Sequence, residues 1–435
     1  MLLEVVGTIC YAIAGKCQQA VYTISMLESE LFTKAAKESP KDEEALNAKL
    51  LIRAGFVQKL FAGVYSFLPL GLRVLKNIES IIREEMNKVG GQEILMPALH
   101  PIANYETTGR SKINVLFHTE LASGSKLVLG QSHEEIVVPL VKHFVQSYKD
   151  LPLAVYQIQT KFRNELRAKS GLLRGREFIM KDLYSFHLDE GDFDVFYEKM
   201  KGAYRAIFER VGIGEDTYLT YASGGTFSEF SDEFQTLTDS GEDTIYICDK
   251  CKRAINKEIK EKYATCPDCS GKKFAEKTAI EVANIFPLKT KFSDAFNLRV
   301  KGEQGKEVPV IMGCYGMGLT RLLGTIVEKN ADEHGMIWPT AVAPFKVHLL
   351  TIGEAAQAKG ASLYNKLQKH GISVLYDNRG DVSPGQKFAE ADLIGIPSRV
   401  VISDKTGDKI ELKRRNEKEA KLVTEKELLG LLSNS

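Results

Sequence analysis

Residues 154–183 read as one long β-hairpin, and no other stretch of the 435-residue chain limits the fold as much. On the first arm Tyr156 and Ile158 alternate with Gln157 and Gln159, the period-two pattern of a strand with one buried face. The return arm is GREFIMKDLYSF, and a Gly- and Arg-rich stretch, Asn164 to Gly175, joins the two. Hairpin connections usually take roughly 2–5 residues, so a connection this long is expected to be functional.

The rest of the chain supplies helices and further strands. Residues 43–61 place Leu46, Leu50, Ala54, Val57 and Phe61 at helical spacing. Pro69-Leu70-Gly71 breaks the chain before a second helix with Leu72, Leu75, Ile78, Ile82, Met86 and Val89 three or four apart, which Gly90-Gly91 stops. Glu93 to Met96 is a short strand, 192–211 is a helix, and strands are expected at Glu281–Phe286 and Val308–Gly313. A helix is expected from near Tyr315 through GMGLTRLLGTIVE. Ala341-Val342-Ala343-Pro344-Phe345 reads as a linker. Beyond it strands (KVHLLTI, ISVLYD, SRVVIS) alternate with helices, the rhythm of a small α/β domain with a partly parallel sheet.

Hydrophobic content of 44% and charged content of 26% are ordinary for a globular protein. The net charge of +1 neither supports nor excludes a nucleic-acid partner, and the run Lys413-Arg414-Arg415 reads as a solvated surface patch. Residues 1–25 are apolar, but Glu4 and Lys16 interrupt them, short of the about 20 apolar residues a spanning helix needs. No basic stretch precedes them, so they read as an N-terminal extension, with Met26 opening the first domain.

Four of the seven cysteines form two C-x-x-C pairs, Cys248/Cys251 and Cys266/Cys269, separated by 14 residues. Two such knuckles make a tetrahedral Cys₄ zinc site, and the alternative is two separate reducible pairs. The expected architecture is therefore α+β. An antiparallel sheet flanked by helices spans 26–340, a zinc-ribbon-like insert sits within it at 245–275, and an α/β domain covers 341–435.

Arg163, Arg167, Arg174 and Arg176 crowd the hairpin loop, and Arg321 follows a Gly-x-Gly turn on the late helix. Arginine forks bind phosphate oxygens bidentately and keep their charge at any working pH. A solvated charged loop is the bland alternative for the first four.

Arg163-Asn164-Glu165, Arg176-Glu177-Phe178 and the Gly-x-Gly-x-x-Arg of 316–321 resemble the second and third signature motifs of class II aminoacyl-tRNA synthetases. The helix at 72–89 with the strand ending in Pro97 resembles the first. Longer stretches, among them GVYSFLPLGLRVL, Ser132-His133-Glu134-Glu135, YQIQTKFRNE and MGCYGMGLTRLL, are similar to bacterial prolyl-tRNA synthetases over about 26–435. The resemblance implies that proline is activated with ATP and Mg²⁺ and then passed to the terminal ribose of tRNA(Pro). It also implies a homodimer, a cytoplasmic location and no membrane association.

Residue by residue, it implies catalytic roles for Arg163 and Arg321. ATP would be held by Arg163, Glu165, Arg174, Phe178, Gln235 and Arg321, with adenine between the Phe178 ring and the Arg321 guanidinium, and Glu281 beside Mg²⁺. Proline would meet Ser132, Glu134, Arg163, Phe234, Asn284 and Cys314, under a mobile loop hinged at Gly224-Gly225. Ser132 has a second reading as a helix N-cap. The C-terminal domain resembles an anticodon-binding domain, with Asp377, Arg379 and Lys387 as expected anticodon contacts.

Two positions depart from the family pattern. Asp232 and Asn284 stand where family members usually carry histidine. The cysteine insert also occupies the place of a large editing domain in many bacterial members. The chain is therefore expected to activate alanine without clearing Ala-tRNA(Pro) itself, leaving room for a trans-editing factor. Two rivals share the motifs: a threonyl enzyme, whose zinc would lie at the substrate, and a synthetase-like regulator without activity.

Overall fold

The computed structural model describes residues 25–433 apart from 42 and 169. The expected N-terminal extension, together with Cys10 and Cys17, lies outside the described residues except for Ser25.

The hairpin forms as its alternation requires. Leu153–Phe162 pairs antiparallel with Glu177–His187, Leu153 opposite Phe186 and Phe162 opposite Glu177. Its second arm pairs with Ile311–Gly318, which in turn pairs with the long strand Phe274–Lys289. These are the central strands of a nine-stranded sheet. At one side Phe230–Leu237 pairs both with Thr217–Ser223 and with residues 279–285 of the long strand. Ala254–Asn256 and Asp243–Cys248 complete the circuit, so the cysteine knuckles hang from a closed ring of strands.

Helices cover one face of this sheet. Pro69–Lys88 starts with proline at its first turn and buries Leu70, Val74, Leu75, Ile78, Ile82 and Met86. Glu190–Arg210 is capped by the Asp189 side chain and buries Phe193, Met200, Tyr204, Ile207 and Phe208. With Leu319–Lys329 they form one core with the sheet. A fully buried side chain of this kind contributes about 1.5–3 kcal/mol, so this face supplies much of the domain's stability. The opposite face is only partly covered, by Glu134–Phe144, and there the cavity opens.

Several local expectations need correction, among them the strand expected at Glu93–Met96, which is only Gln92–Glu93. The first helix runs only from Leu46 to Arg53, because Gly55 takes φ +71° and turns the chain into the strand Val57–Phe61. The late helix begins at Leu319 and not near Tyr315, since residues 311–318 are hydrogen-bonded by strands on both sides. The 341–345 segment is packed, not loose: Val342 and Phe345 are buried, and Asn77 donates to the Ala343 carbonyl at 2.7 Å.

The C-terminal sheet has six strands. Val374–Asp377, Val347–Ile352 and Ser398–Ser403 are parallel, and Ile410–Arg414 and Lys421–Val423 add antiparallel. Met26–Leu27 pairs parallel with Val374–Asp377, so the start of the described chain belongs to this sheet and not to the larger one. Arg415, expected on a solvated run, is buried and pairs with Asp332 at 2.6 Å, tying the two domains together.

Candidate active site

A cavity of about 380 Å³ opens on the uncovered sheet face. Period two decides its floor. Phe178, Met180, Asp182 and Tyr184 line it from one strand, and Cys314, Gly316 and Gly318 from the next. The intervening Lys181, Leu183 and Tyr315 point into the helix-covered core. The hairpin loop closes one end with Arg163, Glu165 and Arg174.

Arg163 is the most exposing feature of that end. Its guanidinium forms no ion pair among the described residues, and its buried Nε has no hydrogen-bond partner. Its Cζ lies 5.2 Å from the Phe178 ring centroid. Burial, and then the neighbouring Arg321 charge, push its pKa below the ordinary value. A half-buried cation without an anion is costly, and the cavity offers room to supply one. Arg321 donates to the Leu173 carbonyl at 2.8 Å and to the Glu281 carbonyl at 2.7 Å, with Glu281 Oε2 at 3.4 Å. Arg174 is held by Glu165 at 3.0 Å and Glu242 at 2.5 Å, so it binds a phosphate only by exchanging these partners.

The other end is lined with acceptors. Glu134 is fully buried at the start of its helix, with Oε1 unpaired. Ser132 Oγ accepts from Gln131 Nε2 at 2.6 Å. The helix N-cap is His133 without a side-chain bond, so Ser132 is not the cap. Burial, then the Glu134 charge, push the Cys314 thiol well up, which keeps it a neutral wall. Asn284 lines the cavity with its Oδ1 unpaired.

Arg110, which nothing in the sequence singled out, organises this end. It donates to Glu135 at 2.9 Å, lies 3.5 Å from Glu134, and stacks under Phe227 at 4.4 Å. A lone arginine in a turn carries no periodicity or spacing signal. Asp182 and Tyr184 were findable, since they repeat from Phe178 at intervals of two. Burial opposes ionisation of Asp182, yet Lys161 at 2.7 Å and His133 hold its pKa below the ordinary value. Its Oδ2 accepts from Tyr184 and Gln157, both at 3.0 Å.

Glu135 gives the site a pH signature. Burial lifts its carboxyl from 4.5 to about 7, Arg110 opposes this, and Glu134 adds to it. The folded state then binds more protons than the unfolded state between those values, so stability falls as pH rises from 4.5 to about 7. We expect Glu135→Gln to flatten the decline of Tm across that window. Equal slopes in the two proteins would remove Glu135 as its source.

Several expected contacts are placed elsewhere. Phe234 packs against Tyr204 and Phe208, with centroids 5.4 and 5.2 Å away, because an apolar ring on that strand face joins the helix-covered core. Gln235 is buried outside the cavity, its amide donating to Glu233 and Asp243 at 2.8 Å each. Asp377, Arg379 and Lys387 form an internal network: Arg379 pairs with Asp377 at 2.7 Å, Glu390 at 2.8 Å and Glu28 at 2.9 Å, and Lys387 lies 3.3 Å from Asp377. Asp377 and Lys387 are almost inaccessible, so their charges neutralise one another and are not presented to RNA.

The four module cysteines do converge. Sγ–Sγ distances are 3.6 Å for Cys248–Cys269 and 3.5 Å for Cys251–Cys266, and all four lie within 4.8 Å of one another. A tetrahedral ion with sulfur bonds of about 2.3 Å needs separations of about 3.8 Å, so the group fits such an ion. The Cys251 backbone N–H holds the Cys248 thiol down from 9.0 to about 7, whereas burial pushes Cys251 up to about 12 and raises Cys266, so the fit to an ion rests on the sulfur geometry. None of the four lines the cavity, which separates them from a metal at the substrate.

Residues 117–330 match the tRNA synthetase class II core domain (G, H, P, S and T), and 346–435 match the anticodon binding domain. A proline-tRNA ligase of Zymomonas mobilis is 36% identical over 436 aligned positions, covering 93% of this chain and 98% of that protein. One from Rickettsia bellii is 37% identical, covering 90% of this chain and 94% of its own. One from Dehalococcoides mccartyi is 32% identical, covering 92% and 97%. Its alignment spans 553 positions, more than this whole chain, so it carries a long segment with no counterpart here. The fold matches the Cryptosporidium parvum prolyl-tRNA synthetase bound to L-proline and AMP, with TM-score 0.73, 16% identity, and coverage of 89% and 75%. It also matches the Giardia lamblia enzyme bound to prolyl-adenylate, with TM-score 0.74, 19% identity, and coverage of 88% and 75%. With a class II core, an anticodon-binding domain and near full-length likeness to such relatives, this chain belongs to the proline-tRNA ligase family.

Proposed function

We propose that the cavity activates L-proline with ATP and transfers the prolyl group to the terminal ribose of tRNA(Pro). The observation that carries this reading is Arg163, a half-buried guanidinium with no ion pair among the described residues, lining a cavity whose far end holds Glu134, a buried carboxylate with one oxygen unpaired. An amino acid is a carboxylate and an ammonium on one carbon, and the two ends complement it. Glu134 meets the cationic imino group with Ser132 beside it, Arg163 takes the proline carboxylate and the ATP α-phosphate, and Cys314 and Asn284 bound the ring.

Attack by the carboxylate oxygen on the α-phosphorus expels pyrophosphate and needs no proton from the protein. Positioning and charge neutralisation therefore dominate. Phe178, Glu165, Arg174 and Arg321 hold the nucleotide. Glu281, a carboxylate lining the cavity, would hold Mg²⁺, which would supply charge neutralisation at the ATP phosphates. The tRNA hydroxyl then attacks the adenylate carbonyl and AMP leaves. The Cys₄ group takes Zn²⁺ as a structural ion. Asp377, Arg379 and Lys387, paired with one another inside the C-terminal domain, support the anticodon-binding surface from beneath in this reading. A homodimer acting in the cytoplasm, with Ala-tRNA(Pro) left to a separate hydrolase, completes the reading.

Amino-acid-dependent ATP–pyrophosphate exchange tests it. Proline should give strong exchange and alanine weaker exchange, because one or two missing methylenes are worth only about 1–3 kcal/mol each in a pocket. Ala-tRNA(Pro) should persist in the presence of the purified chain. No exchange with proline would sink the reading, and rapid deacylation would sink the absence of editing.

A further inference from the structure

The cysteine module reaches the amino-acid end of the cavity along two routes and ties into the neighbouring strand at Asp232 along another. First, Arg253, beside the first knuckle, donates to Asp232 Oδ1, and Asp232 Oδ2 meets Lys201 at 2.9 Å. The same guanidinium lies 3.8 Å above the Tyr221 ring, whose hydroxyl donates to Asp268 of the second knuckle at 2.5 Å. Second, Asn256 Nδ2 donates to Glu233 Oε2 at 3.3 Å, and Glu233 Oε1 accepts from Asn284 at 3.1 Å. Third, Glu258 accepts from the Ser223 backbone at 2.7 Å, and Lys262 lies 4.8 Å from the Phe230 ring. Those two contacts hold both ends of the loop that lays Thr226 and Phe227 against the cavity.

We propose that the module is a brace for the amino-acid pocket, with Arg253, Asn256 and Glu258 as positioning residues that set affinity for the amino acid and not for ATP. No hydrogen bond or ion pair among the described residues joins residues 245–275 to Arg163, Phe178 or Arg321. The module's direct side-chain contacts thus lie toward one end of the cavity. The brace also gives Asp232 a physical role. An acidic side chain there is matched by Arg253 and Lys201, and its carboxylate is engaged with them instead of with substrate. Asn284, which lines the cavity, is oriented by Glu233, and its Oδ1 is left buried without a partner.

The inference rests on the activation reaction proposed above. The test uses the full chain in pyrophosphate exchange, with proline and ATP varied separately, together with Tm and metal content. The double variant Asn256→Ala/Glu258→Ala should raise the KM for proline about tenfold, equivalent to about 1.4 kcal/mol. The KM for ATP should stay within about twofold. Arg253→Met/Asp232→Asn removes both members of the buried pair, leaves no lone anion, and should shift proline KM in the same direction. Arg253→Lys should restore most of the wild-type value. The brace is overturned if the two KM values rise together, or if proline KM stays fixed in both doubles while Tm and metal content are unchanged. A wild-type chain that does not exchange with proline would instead overturn the activity, and the brace with it.

Discussion

Arg163→Gln should lower proline-dependent exchange by about 100- to 1000-fold while leaving the protein at least as heat-stable as wild type. The size follows from removing one preorganised donor for charge that develops in the transition state. The sign of the stability change follows from burial. Arg163 is half-buried beside Arg321, its Nε is buried without a partner, it has no ion pair among the described residues, and desolvation pushes its pKa down. A neutral amide removes that desolvation cost, so function and stability should move in opposite directions. Steady-state exchange and a thermal melt on the same preparation decide it. A variant that loses both activity and stability would show Arg163 to be a structural cation instead.

Glu134→Gln should lower kcat/KM for proline by about 10- to 150-fold, chiefly through the KM for proline. Hydrogen bonds to a charged group are worth about 1.5–3 kcal/mol, and the amide keeps the oxygen but not the charge. Arg110 retains Glu135 at 2.9 Å, so the fold should survive the change. The KM for ATP should not move, since the nucleotide residues lie at the opposite end of the cavity. An equal rise in both KM values would place the fault in general disorder of the site and not in recognition of the imino cation.

These two residues differ in how far the sequence exposes them. Arg163 sits in a motif of fixed residue order, one residue past a strand of clear alternation, and the end of that strand fixes its place. Phe178, Asp182 and Tyr184 share a face for the same reason: side chains two apart on a strand point the same way. The four cysteines were legible because their spacing encodes the ligand geometry directly. Gly55, by contrast, ended a helix that the apolar spacing of 46–61 extended through it, because a positive φ is not visible in hydrophobic periodicity.

The sequence by itself determined the antiparallel hairpin, the α/β rhythm of the C-terminal domain, the arginine-bearing loop and the Cys₄ set, since each follows from local spacing. Tertiary structure alone decided which polar side chains face the cavity and which neutralise one another out of reach. Phe234 went to the aromatic core and Gln235 to Glu233 and Asp243. Asp377, Arg379 and Lys387 went to an internal charge network, while Arg110 was brought under Phe227 beside Glu134. The physical reason is common to all of these. A buried charge or amide must find its partner across long sequence separations, and that pairing is set by which strands and helices pack together, not by the residues beside it in the chain.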